Sequence, residues 1–309
     1  LLSPLVYKPH HSLAVNTIIT SLISNPSLND SAIAIMERMG LFISSGSTMN
    51  LGSAGMRESA AFSASPSSRK IDTSIYACVE RRPLALILGK TVHKVPWESL
   101  PVVLKNEIPI TRVPSLRLVA LHCSEAQIPV NVDTNNAFFV LNPQGDLTTT
   151  QMTFNDVFVK EYEWEGLSGV PPEKNDVLNA IERYDLFVYC GHGSGREYFN
   201  YSDIIEMGVK CRSSMLLMGC RSAELCDEGD SDPRGVPMSL VIAGAGSVVG
   251  NLWNVTDRDI DRFLLDLLER TVEKGQNELE VAVLHARSAC KLKYLTGAAP
   301  IIYGFPTYF

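Results

Sequence analysis

Six short apolar runs, bounded by turn residues, constrain this chain more than any other feature: 84–88 (LALIL), 117–121 (RLVAL), 137–141 (AFFVL), 185–190 (DLFVYC), 214–218 (SMLLM) and 247–253 (SVVGNLW). Runs of that length, apolar at successive rather than alternate positions, read as strands buried on both faces. Such strands need helices above and below them, so the pattern predicts an α/β architecture around a mostly parallel sheet. Residues 257–272, DRDIDRFLLDLLERTV, supply one such helix. Its stripe is Ile260, Phe263, Leu264, Leu267 and Leu268, with Thr256 placed to cap the start and Gly275 near the end. An amphipathic stretch over 278–294 follows.

The first seventy residues read differently. Segments 11–24 and 30–43 carry apolar residues at helical spacing, and Asp30 or Ser31 can cap the second. Residues 44–70 are rich in Ser, Ala and Gly without a sustained period, which reads as a flexible linker with a boundary near residue 70. A net charge of −7 argues against an electrostatic grip on nucleic acid. No apolar run approaches the roughly 20 residues needed to cross a bilayer. Seven cysteines, an odd number, are dispersed over a chain with no secretory signal, so a reducing compartment is expected rather than a disulfide framework. Residue 1 is leucine and nothing resembles a targeting peptide, so a piece of a larger protein is expected.

In parallel α/β sheets, working residues gather beyond the carboxyl ends of the strands. The run DLFVYC leads into GHGSG, which puts His192 just past a strand end, and SMLLM leads into Gly219 and Cys220. Neighbouring strands would then hold an imidazole and a thiol at one rim. That pair makes a nucleophile, because an unassisted thiol is only a few per cent ionised at neutral pH. Gly193 lacks a β-carbon, so its N–H and that of Cys220 can serve as the two donors of an oxyanion hole. Blander readings compete: a histidine at a strand end can be structural, and a free cysteine is a common buried residue. Cys190, His192, Cys220 and Cys226 also form a nominal metal set, but their spacing fits no common zinc pattern and Cys190 should face the other side of the sheet. No metal and no cofactor is expected.

These segments resemble a known family. GHGSG at 191–195, LLMGC at 216–220 and above all VVGNLWNVTDRDIDRF at 248–263 are similar to the protease domain of separase, a clan CD cysteine protease related to caspases. KVPWESLP at 94–101, TRVPSL at 111–116, FFVLNPQGDL at 138–147 and GAAPIIYGFP at 297–306 match as well. The resemblance implies a caspase-like three-layer α/β/α sandwich, preceded by helices and a flexible linker. It implies a protease domain over 137–309, with 71–136 extending the sheet as a substrate-binding, pseudo-protease region. His192 and Cys220 become the catalytic dyad, with Gly193 and the Cys220 amide as oxyanion hole.

The resemblance further implies cleavage after arginine, with an acidic residue upstream, in the kleisin subunit of cohesin. Securin becomes the inhibitory pseudosubstrate and chaperone. Localisation follows as cytoplasm and nucleus, with chromosomes and spindle in mitosis, and neither membrane nor specific nucleic-acid binding is implied. Asp257 is the expected floor of the arginine pocket, with Asp259 as the second acid and Trp253 as a wall, since carboxylates there can accept a bidentate guanidinium. The same acids suit the first turn of a helix for macrodipole reasons alone. Where many separases have Ser after the nucleophile and Asp after the tryptophan, this chain has Arg221 and Asn254. The alternatives are a catalytically silent binding module using the same cleft, and another clan CD peptidase of the CHAT type.

Overall fold

A computed structural model describes residues 84–89, 92–124, 130–206, 208, 210–229 and 231–309. The helices expected at 11–24 and 30–43, the linker and the boundary near residue 70 lie outside the described residues. In chain order the strands are β1 (Leu84–Leu86), β2 (Ile110–Arg112), β3 (Val130–Asn131), β4 (Ala137–Leu141), β5 (Glu165–Ser168), β6 (Leu186–Cys190), β7 (Ser214–Leu217), β8 (Cys226–Glu228), β9 (Ser231–Arg234), β10 (Ser247–Asn251), β11 (Pro300–Gly304) and β12 (Thr307–Tyr308). The helices are α1 (Pro101–Lys105), α2 (Leu116–Ser124), α3 (Thr148–Asp156), α4 (Lys174–Arg183), α5 (Tyr201–Glu206), α6 (Val236–Ile242), α7 (Asp257–Leu268) and α8 (Leu279–Ala286).

Eight strands form one sheet in the order β1-β2-β11-β10-β7-β6-β4-β5. From β10 to β5 the strands are parallel, β11 is antiparallel to β10, and β2 and β1 run with β11. Residues 84–112 therefore supply an edge of the same sheet that carries His192 and Cys220 at its centre. Alternation along β6 shows how both faces are covered: Phe187 and Tyr189 pack with α4, α5 and α6, while Leu186, Val188 and Cys190 pack with α3, α7 and α8. This gives the three α/β/α layers. Each large side chain fully buried this way contributes about 1.5–3 kcal/mol, and β6 is buried at every position.

Several expectations change. The run 117–121 is helical, not a strand: it lies inside α2, where the Ser115 hydroxyl accepts the Leu118 N–H (3.2 Å). A five-residue apolar run cannot by itself separate a buried strand from one face of a short helix, and here only Val119 is fully inside while Arg117 and Leu121 face out. Strands β2, β5 and β11 went unread, β5 because EGLS at a sheet edge has no apolar signal. The helix expected over 257–272 ends at Leu268 and continues as a wider turn over Glu269–Glu273. All five stripe residues are buried, and Thr256 is the N-cap but makes no side-chain cap bond. The stretch 278–294 is helical only over Leu279–Ala286, followed by a tight turn at Arg287–Ala289. Among the described residues no helix is long and apolar enough to cross a membrane.

At the seam of α3 and α7 the Thr150 hydroxyl donates to Asp261 Oδ2 (2.8 Å). Burial pushes the Asp261 carboxyl from 3.8 up to about 6, with the Asp257 charge adding to the rise and the Thr150 bond and Arg262 opposing it. Because the folded value is raised, ionisation costs stability above about pH 6, and that cost vanishes as pH falls below the unfolded value near 4. Asp261→Asn keeps an acceptor for Thr150. It is expected to be more stable than the parent at pH 8 by about 2 kcal/mol, and no more stable at pH 4, in urea unfolding at the two pH values. Equal gains at both would show that the carboxylate is not the source.

Candidate active site

Adjacent parallel strands deliver the two predicted reactive side chains. β6 pairs with β7 through Tyr189 opposite Leu217, and the Met218 N–H continues the ladder to the Tyr189 carbonyl (2.9 Å). Beyond that point the two chains touch. A β-carbon built on Gly219 would lie 1.8 Å from the Gly193 carbonyl oxygen and 2.9 Å from that of Gly191. The loop carrying His192 and the turn carrying Cys220 are thus in backbone-to-backbone contact, which only a glycine at 219 permits. Gly191 is required for a second close approach, because a β-carbon there would meet the Tyr189 hydroxyl at 2.6 Å. That hydroxyl donates to the His192 carbonyl (2.8 Å) and pins the loop.

The thiol of Cys220 is half-buried and sits against one peptide unit: Val255 N–H donates to Sγ (3.3 Å), and the S–H reaches the Val255 carbonyl (3.4 Å). His192 is exposed, and its Nε2 lies 3.2 Å from Asp146 Oδ2, so in this structure the imidazole bonds to that carboxylate rather than to the thiol. Asp146 follows β4, the neighbour of β6 on its other side, and reaches the same rim. Gly193 takes φ +62° with open space around it. Among the described residues neither its N–H nor that of Cys220 donates a hydrogen bond. Arg221, next to the thiol, adopts φ +56°, a conformation that costs a non-glycine residue about 1–2 kcal/mol.

The remaining predicted residues separate into three environments. Asp257 is exposed at the first position of α7, two residues beyond the Val255 peptide that holds the thiol. Asp259 is buried and fully engaged: it accepts the Lys291 and Leu292 N–H groups (3.2 and 2.8 Å) and the Arg262 guanidinium. Burial alone would raise its carboxyl, and those donors outweigh burial and lower it. It anchors α7 to the segment after Cys290, with three of its acceptor positions used inside the fold. Trp253 is half-buried against the core, its indole N–H donating to the Leu295 carbonyl (2.9 Å). Arg221 forms a two-pronged ion pair with Glu224 (2.6 and 2.7 Å), so its charge is spent there rather than on the thiol.

Cys190, Cys211 and Cys290 are buried, and burial pushes their thiols up, to about 12 for Cys211 and about 11 for Cys290. Such thiols are inert as nucleophiles at neutral pH. Among the described residues no group of three or more His, Cys, Asp or Glu side chains is arranged to hold a metal ion.

The sequence profile of the separin protease domain matches residues 49–260, a span that contains β1 to β10, the rim and Asp257. The chain belongs to the separin protease-domain family. A separin of Emericella nidulans is 38% identical over 240 residues, covering 72% of this chain and 11% of its own length. A mouse separin is 36% identical over 230 residues with the same two shares. The Saccharomyces cerevisiae separase–securin complex superposes with a TM-score of 0.67 at 34% identity, over 73% of this chain and 15% of the separase. The chain thus spans well under a quarter of the length of the separins it matches.

Sequence reasoning missed three residues of this separin site. Asp146 lies inside the quoted FFVLNPQGDL, and the rule that led to His192 would have reached it, since it too stands just beyond a parallel strand. Asn251 Nδ2 donates to the Met218 and Gly219 carbonyls (3.3 and 3.2 Å) and so fixes the backbone leading to the thiol. Tyr189 reads as core from sequence, and only its hydroxyl betrays the second task.

Proposed function

We propose that this chain is the catalytic part of a separase: a cysteine endopeptidase with His192 and Cys220 as its dyad, cleaving after arginine in a kleisin. One observation carries the reading. Gly219 abuts the Gly191 and Gly193 carbonyls, so thiol and imidazole stand on touching loops at the ends of neighbouring strands. In this mechanism the Cys220 sulfur attacks the carbonyl carbon of the scissile bond as its proton passes to His192. The oxyanion is received by the Gly193 and Cys220 amides, which have no other partner among the described residues. His192 then returns the proton to the departing amine, and water hydrolyses the thioester. Asp146 on Nε2 leaves Nδ1 for the thiol and orients the ring.

Asp257 is our assignment for the arginine pocket, supported by its exposure beside Val255 and by the engagement of Asp259 elsewhere. Asp257→Asn is expected to lower kcat/KM for an arginine peptide by about 10²-fold or more, because a charged pair in a cleft is lost, while leaving thermal stability unchanged. Asp259→Asn is expected to act the other way round, on stability first; a selective loss of arginine turnover there would reverse the two assignments. Securin as partner is supported by the yeast complex, its inhibitory role follows from the family resemblance, and so does a place of action in cytoplasm and nucleus, with chromosomes and spindle in mitosis. The test is labelling by an arginine acyloxymethyl ketone, followed by incubation with purified kleisin with and without securin and mapping of the new N-terminus. Adduct at Cys220 and a cut after arginine support an active enzyme. Binding of kleisin without either would favour the silent cleft.

A further inference from the structure

Buried polar groups left without partners are costly unless something supplies the missing bond. Among the described residues the atoms in that position are both ring nitrogens of His93, the hydroxyls of Thr111, Thr296 and Tyr303, and the Asn251 carbonyl oxygen. Two of these residues, His93 and Tyr303, each 3% exposed, line one cavity of about 600 Å³ at the β1–β2 edge of the sheet, on the α2 and α6 face. The catalytic rim uses neither of them.

The floor of this cavity carries an unusual charge balance. Arg112, which also lines it, is buried and pairs with buried Glu98 through two bonds (2.7 and 2.8 Å). Arg287 is buried behind the same carboxylate, its guanidinium on the Ser99 hydroxyl (2.9 Å) and the Pro300 carbonyl. Burial lowers Arg287 to about 10, so it stays charged at neutral pH. Among the described residues two buried guanidinium groups thus act on the Glu98 carboxylate, and only Arg112 bonds to it. The nearby Asp227, 4.0 Å from His93, is matched by Lys94 at 2.6 Å and adds no net charge. Exposed Arg117 and Arg234 also line the cavity. Apart from Ser115 its remaining walls are apolar, and Leu121 and Ile242 are each about half exposed.

We propose that this cavity takes the carboxylate side chain of an acidic, otherwise apolar peptide segment of a partner protein. The His93 ring N–H and the Tyr303 O–H, whose oxygen faces the Arg112 guanidinium, are the donors for it, and a carboxylate supplies negative charge to a lining rich in arginine. The apolar walls of Leu118, Leu121, Met238 and Ile242 receive the residues flanking the acid, which a free carboxylate would leave uncovered.

The experiment uses the full chain and fluorescence anisotropy with a dye-labelled peptide, Leu-Val-Glu-Ile-Leu blocked at both ends, and its glutamine twin. Neither contains arginine, so neither addresses the arginine cleft. The glutamate peptide is expected to bind at least about tenfold more tightly than the glutamine one. Tyr303→Phe and Arg117→Ala are each expected to weaken it by about threefold or more without changing the glutamine peptide. Arg117 is exposed, so that variant keeps the test open should Tyr303→Phe fail to fold. Equal binding of the two peptides, no binding at millimolar concentration, or indifference to Arg117→Ala in a folded protein would each overturn the proposal. Competition by N-acetylglutamate amide at the peptide's own affinity would overturn the peptide as occupant.

Discussion

Cys220→Ser is expected to abolish turnover of an arginine peptide or a kleisin fragment, a loss of at least about 10³-fold, while the protein keeps its fold. The expectation rests on ionisation as well as on position. A serine hydroxyl is far weaker than a thiol as an acid, so the same imidazole generates far less nucleophile from it. The Oγ of serine would still find the Val255 N–H and carbonyl that hold the sulfur at 3.3 and 3.4 Å. Thermal stability should therefore move by no more than about 0.5 kcal/mol. Single-turnover cleavage together with a melting curve checks both halves. Cys226→Ser is the control: that thiol is half-buried as well but contacts Arg196 (3.1 Å), not Val255, and its loss should spare activity. Turnover surviving in Cys220→Ser would remove the dyad from this chain.

How much of this was legible beforehand depends on the range of the forces involved. The central strands were, because burial on both faces writes an unbroken apolar run, and 137–141, 185–190, 214–218 and 247–253 all fall on strands of the sheet. The position of His192 and Cys220 at one rim followed from the same runs, since strand ends fix where the next residues emerge. What escaped depended on partners distant in sequence. RLVAL looked like a strand until the Ser115 cap and a half-exposed face made it a helix. Asp259 shares the first turn of α7 with Asp257, and its bonds to the Lys291 and Leu292 amides, some thirty residues on, left no mark in the local sequence. Asp146 carried a readable position but no readable partner, because its contact with His192 closes over a separation of 46 residues.

Gly219→Ala tests the contact on which the site depends. The added methyl would sit 1.8 Å from the Gly193 oxygen, more than an ångström inside any tolerable separation, and the atom it meets is backbone, so no side chain can swing away. Neither loop is free to retreat cheaply. The Tyr189 hydroxyl holds the His192 carbonyl at 2.8 Å, and Asn251 holds the carbonyls of Met218 and Gly219. Relief must come from opening the gap between the two strand ends, which separates thiol from imidazole and spreads the two amides proposed for the oxyanion. A displacement of about 1 Å at a reacting pair costs about 10² in rate, and losing one oxyanion donor costs about 10²–10³. Gly219→Ala should therefore lower kcat by about 10³ or more, with a stability cost of about 1–3 kcal/mol from overpacking. Gly193→Ala separates this contact from mere backbone freedom: its methyl would meet nothing within 4 Å, and its only penalty is the φ of +62°. It should retain far more activity than Gly219→Ala. Were the two variants equally active, the close approach of the loops would have no part in holding the site together, and the juxtaposition of His192 with Cys220 would lose its structural cause.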